Sequence, residues 1–177
     1  VMEFFTKQNF EEFSNLIGMW LGDGCIRKCN SKVNGICFTV HSVNEKEINF
    51  ITRVCEDTFG CNITNHTKDN TTNIYVNSRI VGLVFNELFK SGFNNKELYS
   101  EIFSWPKRLV NSLIAGLITT DGHITKYKHN CTLSLSNKKL MTQLYHLCRA
   151  NGIVSSFVKY KKQDDATTEP YSMSIPL

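Results

Sequence analysis

An α+β fold made of two copies of one αββαββα unit is predicted by three observations. An apolar segment ending in Asp-Gly occurs twice, 98 residues apart, as Asn15 to Gly24 and as Leu113 to Gly122. The same succession of alternating and helix-periodic stretches follows each copy, and a glycine closes the helical stretch both times.

Each element has its own local reason. The first apolar segment, Leu16 to Gly24, is apolar on several sides, which predicts a buried helix, and Gly18 and Gly22 would let another helix approach closely. A short β-like stretch with basic residues follows (Cys25 to Lys28), then an alternating strand from Ile36 to Ser42. Period-two alternation marks a half-buried antiparallel strand. Asn44 is placed to cap a helix whose apolar stripe is Ile48, Ile51, Val54 and Cys55, and Gly60 stops it. Strands around Cys61 to His66 and Asn73 to Asn77 come next, and Arg79 to Phe89 closes the unit as an apolar-striped helix. Phe93 to Trp105 is the linker, with Pro106 near the first turn of the next helix.

The second unit repeats this order. The helix of Leu113 to Asp121, with small residues at Ala115 and Gly116, leads to His123 to Lys128, the strand Cys131 to Ser136, and a helix capped by Ser136 or Asn137. Its stripe is Met141, Leu144, Leu147 and Cys148, and Gly152 stops it before strands at Ile153 to Lys161 and Tyr171 to Ile175. The expected division is 1–92 for the first unit, 93–105 for the linker and 106–177 for the second. A copy displaced by 98 residues would run past Leu177, so the second unit reads as truncated at its last helix, and the natural polypeptide is expected to be longer.

Composition bounds the chemistry. With 41% apolar residues in 177, a core forms without disulfides. Seven cysteines, an odd number, follow no signal peptide, so an intracellular, reducing compartment (nucleus or cytoplasm in a eukaryote) and buried free thiols are expected. Cys25 and Cys29 resemble half a zinc site, but no second pair follows. No apolar run reaches the roughly 20 residues that cross a bilayer. The net charge of +4 says little, whereas its distribution says more. Residues 106–162 carry ten Lys or Arg against the single acid Asp121, while the first 105 residues hold ten basic and twelve acidic groups. A one-sided basic surface suits a polyanion such as nucleic acid.

The two Asp-Gly steps carry the sharpest expectation. Two buried helices packed together would end side by side, each releasing the chain where glycine supports a left-handed turn. A carboxylate at a helix C-terminus meets the negative end of the dipole, so two of them converging would need a cation between them. Hard oxygen donors, few in number, suit a divalent ion with room for water and phosphate oxygens.

Both segments resemble the dodecapeptide signature of the LAGLIDADG homing endonucleases, and Leu16-Ile17-Gly18-Met19-Trp20-Leu21-Gly22-Asp23-Gly24 is similar in style to the intein-encoded branch. The likeness spans residues 12–177. It implies a DNA-binding saddle, site-specific hydrolysis of one phosphodiester per strand, and Mg²⁺ (Mn²⁺ substituting) held by Asp23 and Asp121. The earlier aspartate of the signature is replaced by Leu21 and Thr119. Lys96, followed by Leu98-Tyr99 where intein-type members have Ile-Pro, looks like the family's catalytic lysine, which would polarise water or neutralise the pentavalent intermediate; its symmetric partner would fall past Leu177. Base contacts are expected from Thr39, His41, Tyr75, Thr132, Ser134, Lys159 and Lys161, and phosphate contacts from Arg27, Lys28, Lys126 and Lys128. The partner implied is double-stranded DNA with a long pseudo-palindromic or asymmetric site, bound by a monomer, with an intein host protein as one setting. Two rivals share the fold: a DNA-binding regulator without catalysis, and an intron maturase that binds RNA.

Overall fold

Alternating segments become two four-stranded antiparallel sheets in the computed structural model, which describes residues 7–125, 130–159 and 171–176. The first unit is α1 (Lys7–Asp23), β1 (Gly24–Cys29), β2 (Lys32–His41), α2 (Glu45–Phe59), β3 (Ile63–Lys68), β4 (Thr71–Val76) and α3 (Arg79–Phe89). A 3-10 turn, Ser100–Ser104, lies in the linker. The second unit is α4 (Lys107–Asp121), β5 (Gly122–Thr125), β6 (Asn130–Leu135), α5 (Lys138–Ala150), β7 (Ser156–Lys159) and β8 (Tyr171–Pro176). Strand orders β1-β2-β4-β3 and β5-β6-β8-β7 are the same topology twice, so the repeat seen in the sequence is a repeat of fold. The architecture is α+β, with two pseudo-symmetric units forming a saddle.

Side-chain alternation decides which face each sheet buries. Ile36, Phe38 and Val40 of β2 and Ile74 and Val76 of β4 point into the core, as do Cys131 and Leu133 of β6. Thr39 and His41 are exposed on the opposite face. The stripes of α2 and α5 are buried as the spacing predicts, through Ile51, Val54 and Cys55 and through Leu140, Met141, Leu144, Leu147 and Cys148. α3 closes the first unit by placing Phe85 and Phe89 against Trp20, with ring centroids at 5.1 and 5.9 Å. Offset and edge-on aromatic contacts of this kind add to simple burial.

The units meet along α1 and α4, and the meeting has the symmetry of the repeat. A methyl group added to Gly18 would fall on the carbonyl of Leu113, and one added to Gly116 would fall on the carbonyl of Asn15. Each obstacle is backbone, so the helices pack closely because these positions carry no side chain. Ser14 Oγ donates to Leu109 O at 2.6 Å and Asn15 Nδ2 to Ser112 O at 3.1 Å, tying the middle of α1 to the first turns of α4. The exposed ion pair of Arg108 with Glu11 adds little to this contact, and that of Arg53 with Glu12 joins α1 to α2.

Several local expectations are corrected. Gly122 is extended (φ −86°, ψ 143°), and Gly24 is not among the positive-φ residues, so neither Asp-Gly step makes a left-handed turn. Their glycines serve close approach: a side chain at Gly24 would strike Trp20, and one at Gly122 would strike Ile118. Asn44 flanks α2 without a side-chain cap, and its amide donates to Glu47 Oε2 at 3.3 Å instead. Cys25 and Cys29 are exposed, because both lie in β1, where the apolar pattern gives way to basic residues; Cys37, Cys55, Cys131 and Cys148 are buried as expected. Among the described residues no helix is long and apolar enough to cross a membrane.

Candidate active site

α1 and α4 both run to an aspartate, so packing them together delivers two carboxylates to one end of the seam. Gly22 makes this approach possible, since a side chain there would collide with Thr120 and with Asp121 Oδ2. The two groups feel each other: Asp121 is pushed up to about 6, first by burial and then by the charge of Asp23. Asp23 is raised by desolvation, with Lys96 opposing the rise. Among the described residues, Asp121 Oδ2 is buried and finds no hydrogen-bond partner.

Lys96 stands beside this pair and is only 5% exposed. Its ammonium donates to the carbonyls of Trp20, Leu21 and Gly22 at 2.9, 2.9 and 2.8 Å, which are orphan acceptors at the C-terminus of α1. All three N–H groups of a lysine are thereby used, and the cation offsets the negative end of the dipole. Burial brings the ammonium down to about 8, against the pull of Asp121 and Asp23. For Lys96 to polarise a water, one of the three bonds would have to be exchanged.

The linker is built to deliver that lysine. Gly92, at φ +89°, turns the chain and accepts from the N–H groups of Asn95 and Lys96. Leu98 exchanges two backbone bonds with the Gln143 side chain of α5. Asn137 Nδ2 donates to Lys96 O at 2.7 Å, while its Oδ1 accepts from Leu140 N at 3.0 Å to cap α5. Lys139 adds an ion pair to Glu97. Asp121, Lys96, Gly22 and Asn137 line a cavity of about 180 Å³. Asn137 was legible in the sequence as a cap, but its second bond was not, because nothing in the local pattern says that a linker passes there.

The donor set fits a hard divalent cation. Two carboxylates converge, and among the described residues one of their oxygens is buried without a hydrogen-bond partner; no group of three His, Cys, Asp or Glu that could hold a metal is found among the described residues. Magnesium characteristically takes one or two carboxylates and completes its shell with water and phosphate oxygens, whereas zinc and calcium ask for more protein ligands.

The expected DNA contacts divide by where they fall. Direct ladder partners share a face, so Cys25, Cys37, Tyr75 and Thr64 form one row across the face of the first sheet away from the core, Cys37 itself being buried there, and Thr39, Asn73 and His66 a second. Arg27 reaches over this face with its guanidinium 4.1 Å from the Tyr75 ring centre. His41 and Lys28 are exposed toward its ends. On the second sheet Thr132 pairs with His123 and Ser174, and Ser134 shares a 2.6 Å hydroxyl contact with Ser172. Lys159 lies in β7 opposite Tyr171. Lys126, Lys128 and Lys161 fall outside the described residues. Asn73, Asn77, Thr64, His66 and His123 were not expected; alternation gives each strand's faces, but the row a residue joins depends on register between distant strands.

Comparison with known proteins agrees with this architecture. Residues 108–174 match the model of the LAGLIDADG-like domain. The uncharacterized protein MJ1054 of Methanocaldococcus jannaschii is 29% identical over 93% of this chain, which spans 19% of that protein's length. Among solved structures, the homing endonuclease I-DmoI in complex with DNA and Ca has a TM-score of 0.70 at 17% identity, covering 97% of this chain and 85% of its own. The homing endonuclease I-WcaI bound to its DNA recognition sequence has a TM-score of 0.60 at 18% identity, covering 97% and 78%. Full-length DUF199/WhiA from Thermatoga maritima has a TM-score of 0.59 at 15% identity, covering 95% and 52%. At such identities structural likeness speaks to fold, and the chain has the architecture of the LAGLIDADG homing endonucleases, its second unit matching the LAGLIDADG-like domain.

Proposed function

We propose that the chain is a site-specific, divalent-metal-dependent endonuclease acting on double-stranded DNA as a monomer. One observation carries the reading: two helix-terminal carboxylates, Asp23 and Asp121, are brought within each other's field at the end of a glycine-packed seam, with one buried oxygen left unpartnered among the described residues. A fold that needed these helices only for stability would gain nothing from two like charges there.

Asp23 and Asp121 would hold Mg²⁺ or Mn²⁺, which when bound supplies charge stabilisation at a phosphodiester and at the departing 3′ oxygen. Lys96 holds the end of α1, fixes where Asp23 emerges, and contributes positive charge to a site that must accept a phosphate. The outward rows of both sheets would lie along a groove of a long asymmetric or pseudo-palindromic site, with exposed lysines and arginines at its margins meeting phosphates. The endonuclease names of I-DmoI and I-WcaI support the reading, since the chain shares their fold.

A supercoiled plasmid library incubated with Mg²⁺ tests it, comparing the protein with Asp23→Asn and Asp121→Asn. Linear product from the wild type alone is expected. Equal binding and equal absence of cutting in all three would favour a recognition protein without catalysis.

A further inference from the structure

One cluster on the outer face of the first sheet is more ordered than a mobile surface arginine would be. β1 changes register against β2 between Arg27 and Lys28, an irregularity of the kind that re-aims a side chain. Gly35 is the ladder partner of Arg27 and puts no side chain in the way. The guanidinium therefore crosses β2 and lies over Tyr75 of β4 at 4.1 Å. Its Nη1 donates to Asn77 Oδ1 at 2.5 Å, and Asn77 Nδ2 donates to Thr64 Oγ1 at 3.0 Å. Thr64 thus decides which way the Asn77 amide faces, and Asn77 decides where the guanidinium sits. The chain of contacts runs through β1, β4 and β3 and leaves most of the five N–H donors of Arg27 uncommitted.

We propose that Arg27 is a specificity-determining residue that reads a guanine in the major groove, with Asn77, Thr64 and Tyr75 as positioning residues that hold its fork. The inference rests on the DNA-binding reading above and names one base that the first half of the saddle selects. A contact to phosphate needs only a positive charge and works from a flexible side chain. Bidentate recognition needs a planar fork fixed in orientation, and guanine alone presents two acceptors, O6 and N7, on its groove edge. Stacking on Tyr75 fixes the plane of the fork, and Asn77 fixes its rotation within that plane. This sets Arg27 apart from Lys28 next to it, which has the charge without the scaffold.

Selection from a pool of randomised duplexes in Ca²⁺, followed by sequencing, tests the assignment on the full chain. Wild type is expected to enrich guanine at one position of its site. Arg27→Lys, which keeps the charge, is expected to lower that enrichment by about 10-fold or more at that position alone, within the range of one bidentate base contact. Thr64→Val and Asn77→Ala are expected to weaken it in the same place and by less, with circular dichroism unchanged. Unaltered guanine preference in Arg27→Lys would overturn the proposal while leaving the DNA-binding reading intact. So would an Arg27→Gln protein that loses affinity equally for all sequences and shows a salt slope reduced by about one, the signature of a phosphate contact. Failure of the wild type to enrich any duplex would overturn the DNA-binding reading and this inference with it.

Discussion

Asn137 is bonded to Lys96 through the main chain, its amide donating to the Lys96 carbonyl at 2.7 Å while its oxygen caps α5. A residue of the second unit thereby fixes the lysine that closes the end of a helix in the first. The two aspartates are held in register by a seam of glycines and by a strap that crosses from one unit to the other. Four predictions follow from the forces at these contacts.

Lys96→Met removes the cation that satisfies three carbonyls and faces two carboxylates. Removing one partner of a buried charge cluster characteristically costs about 3–5 kcal/mol. Urea denaturation with chelator present is expected to show a loss of that size at pH 7.5. A smaller loss is expected at pH 5, where Asp121, with its pKa pushed up to about 6, is largely neutral. Equal losses at both values would mean that the lysine acts as a cap and not as a countercharge.

Asp121→Asn is expected to stabilise the chelated protein at neutral pH while abolishing its response to Mg²⁺. The sign follows from the raised pKa: between 3.8 and about 6 the folded protein keeps a proton that the unfolded chain has released, so stability falls as pH rises through that window. Relief of this penalty is worth ~2 kcal/mol once the shift is discounted for the partial exposure of the carboxyl. Wild-type melting in chelator should decline from pH 4 to pH 6.5 more steeply than that of the variant. Mg²⁺ should raise the wild-type Tm more at pH 7.5 than at pH 5, since the ion competes with the proton.

Gly18→Ala and Gly116→Ala are expected to cost about 1–3 kcal/mol each, as overpacking does, because the added methyl meets backbone of the facing helix in both cases. Cleavage is expected to fall further than stability, since helices forced apart also separate Asp23 from Asp121. Gly60→Ala is the control: its φ of +57° is unfavourable for alanine, but open space surrounds it. That variant should lose about 1 kcal/mol and retain cleavage.

Asn137→Ala removes the cap of α5 and the bond to Lys96 together. A cap alone is worth about 0.5–2 kcal/mol, so Asn137→Ser, which can still cap, separates the two roles. The serine variant is expected to keep most of the stability and still lose cleavage rate, with affinity for DNA little changed. Full activity in the serine variant would show that Lys96 is placed without Asn137.

Much of this was legible in the residues taken in order. Local pattern determined the repeat, the identity of the described helices and strands in both units, the buried stripes, and the carboxylate that ends each of the two repeated helices, because periodicity and backbone preference act over short stretches of chain. Only the tertiary structure decided that the Asp-Gly glycines serve close packing and not a left-handed turn, that Lys96 spends its hydrogen bonds on α1, that Asn137 reaches the linker, and that Arg27 is clamped between Tyr75 and Asn77. Each of those facts depends on what lies opposite in space. Lys96 and Trp20, or Arg27 and Asn77, are far apart in the chain, and the packing of helices and the register of strands alone bring such pairs together.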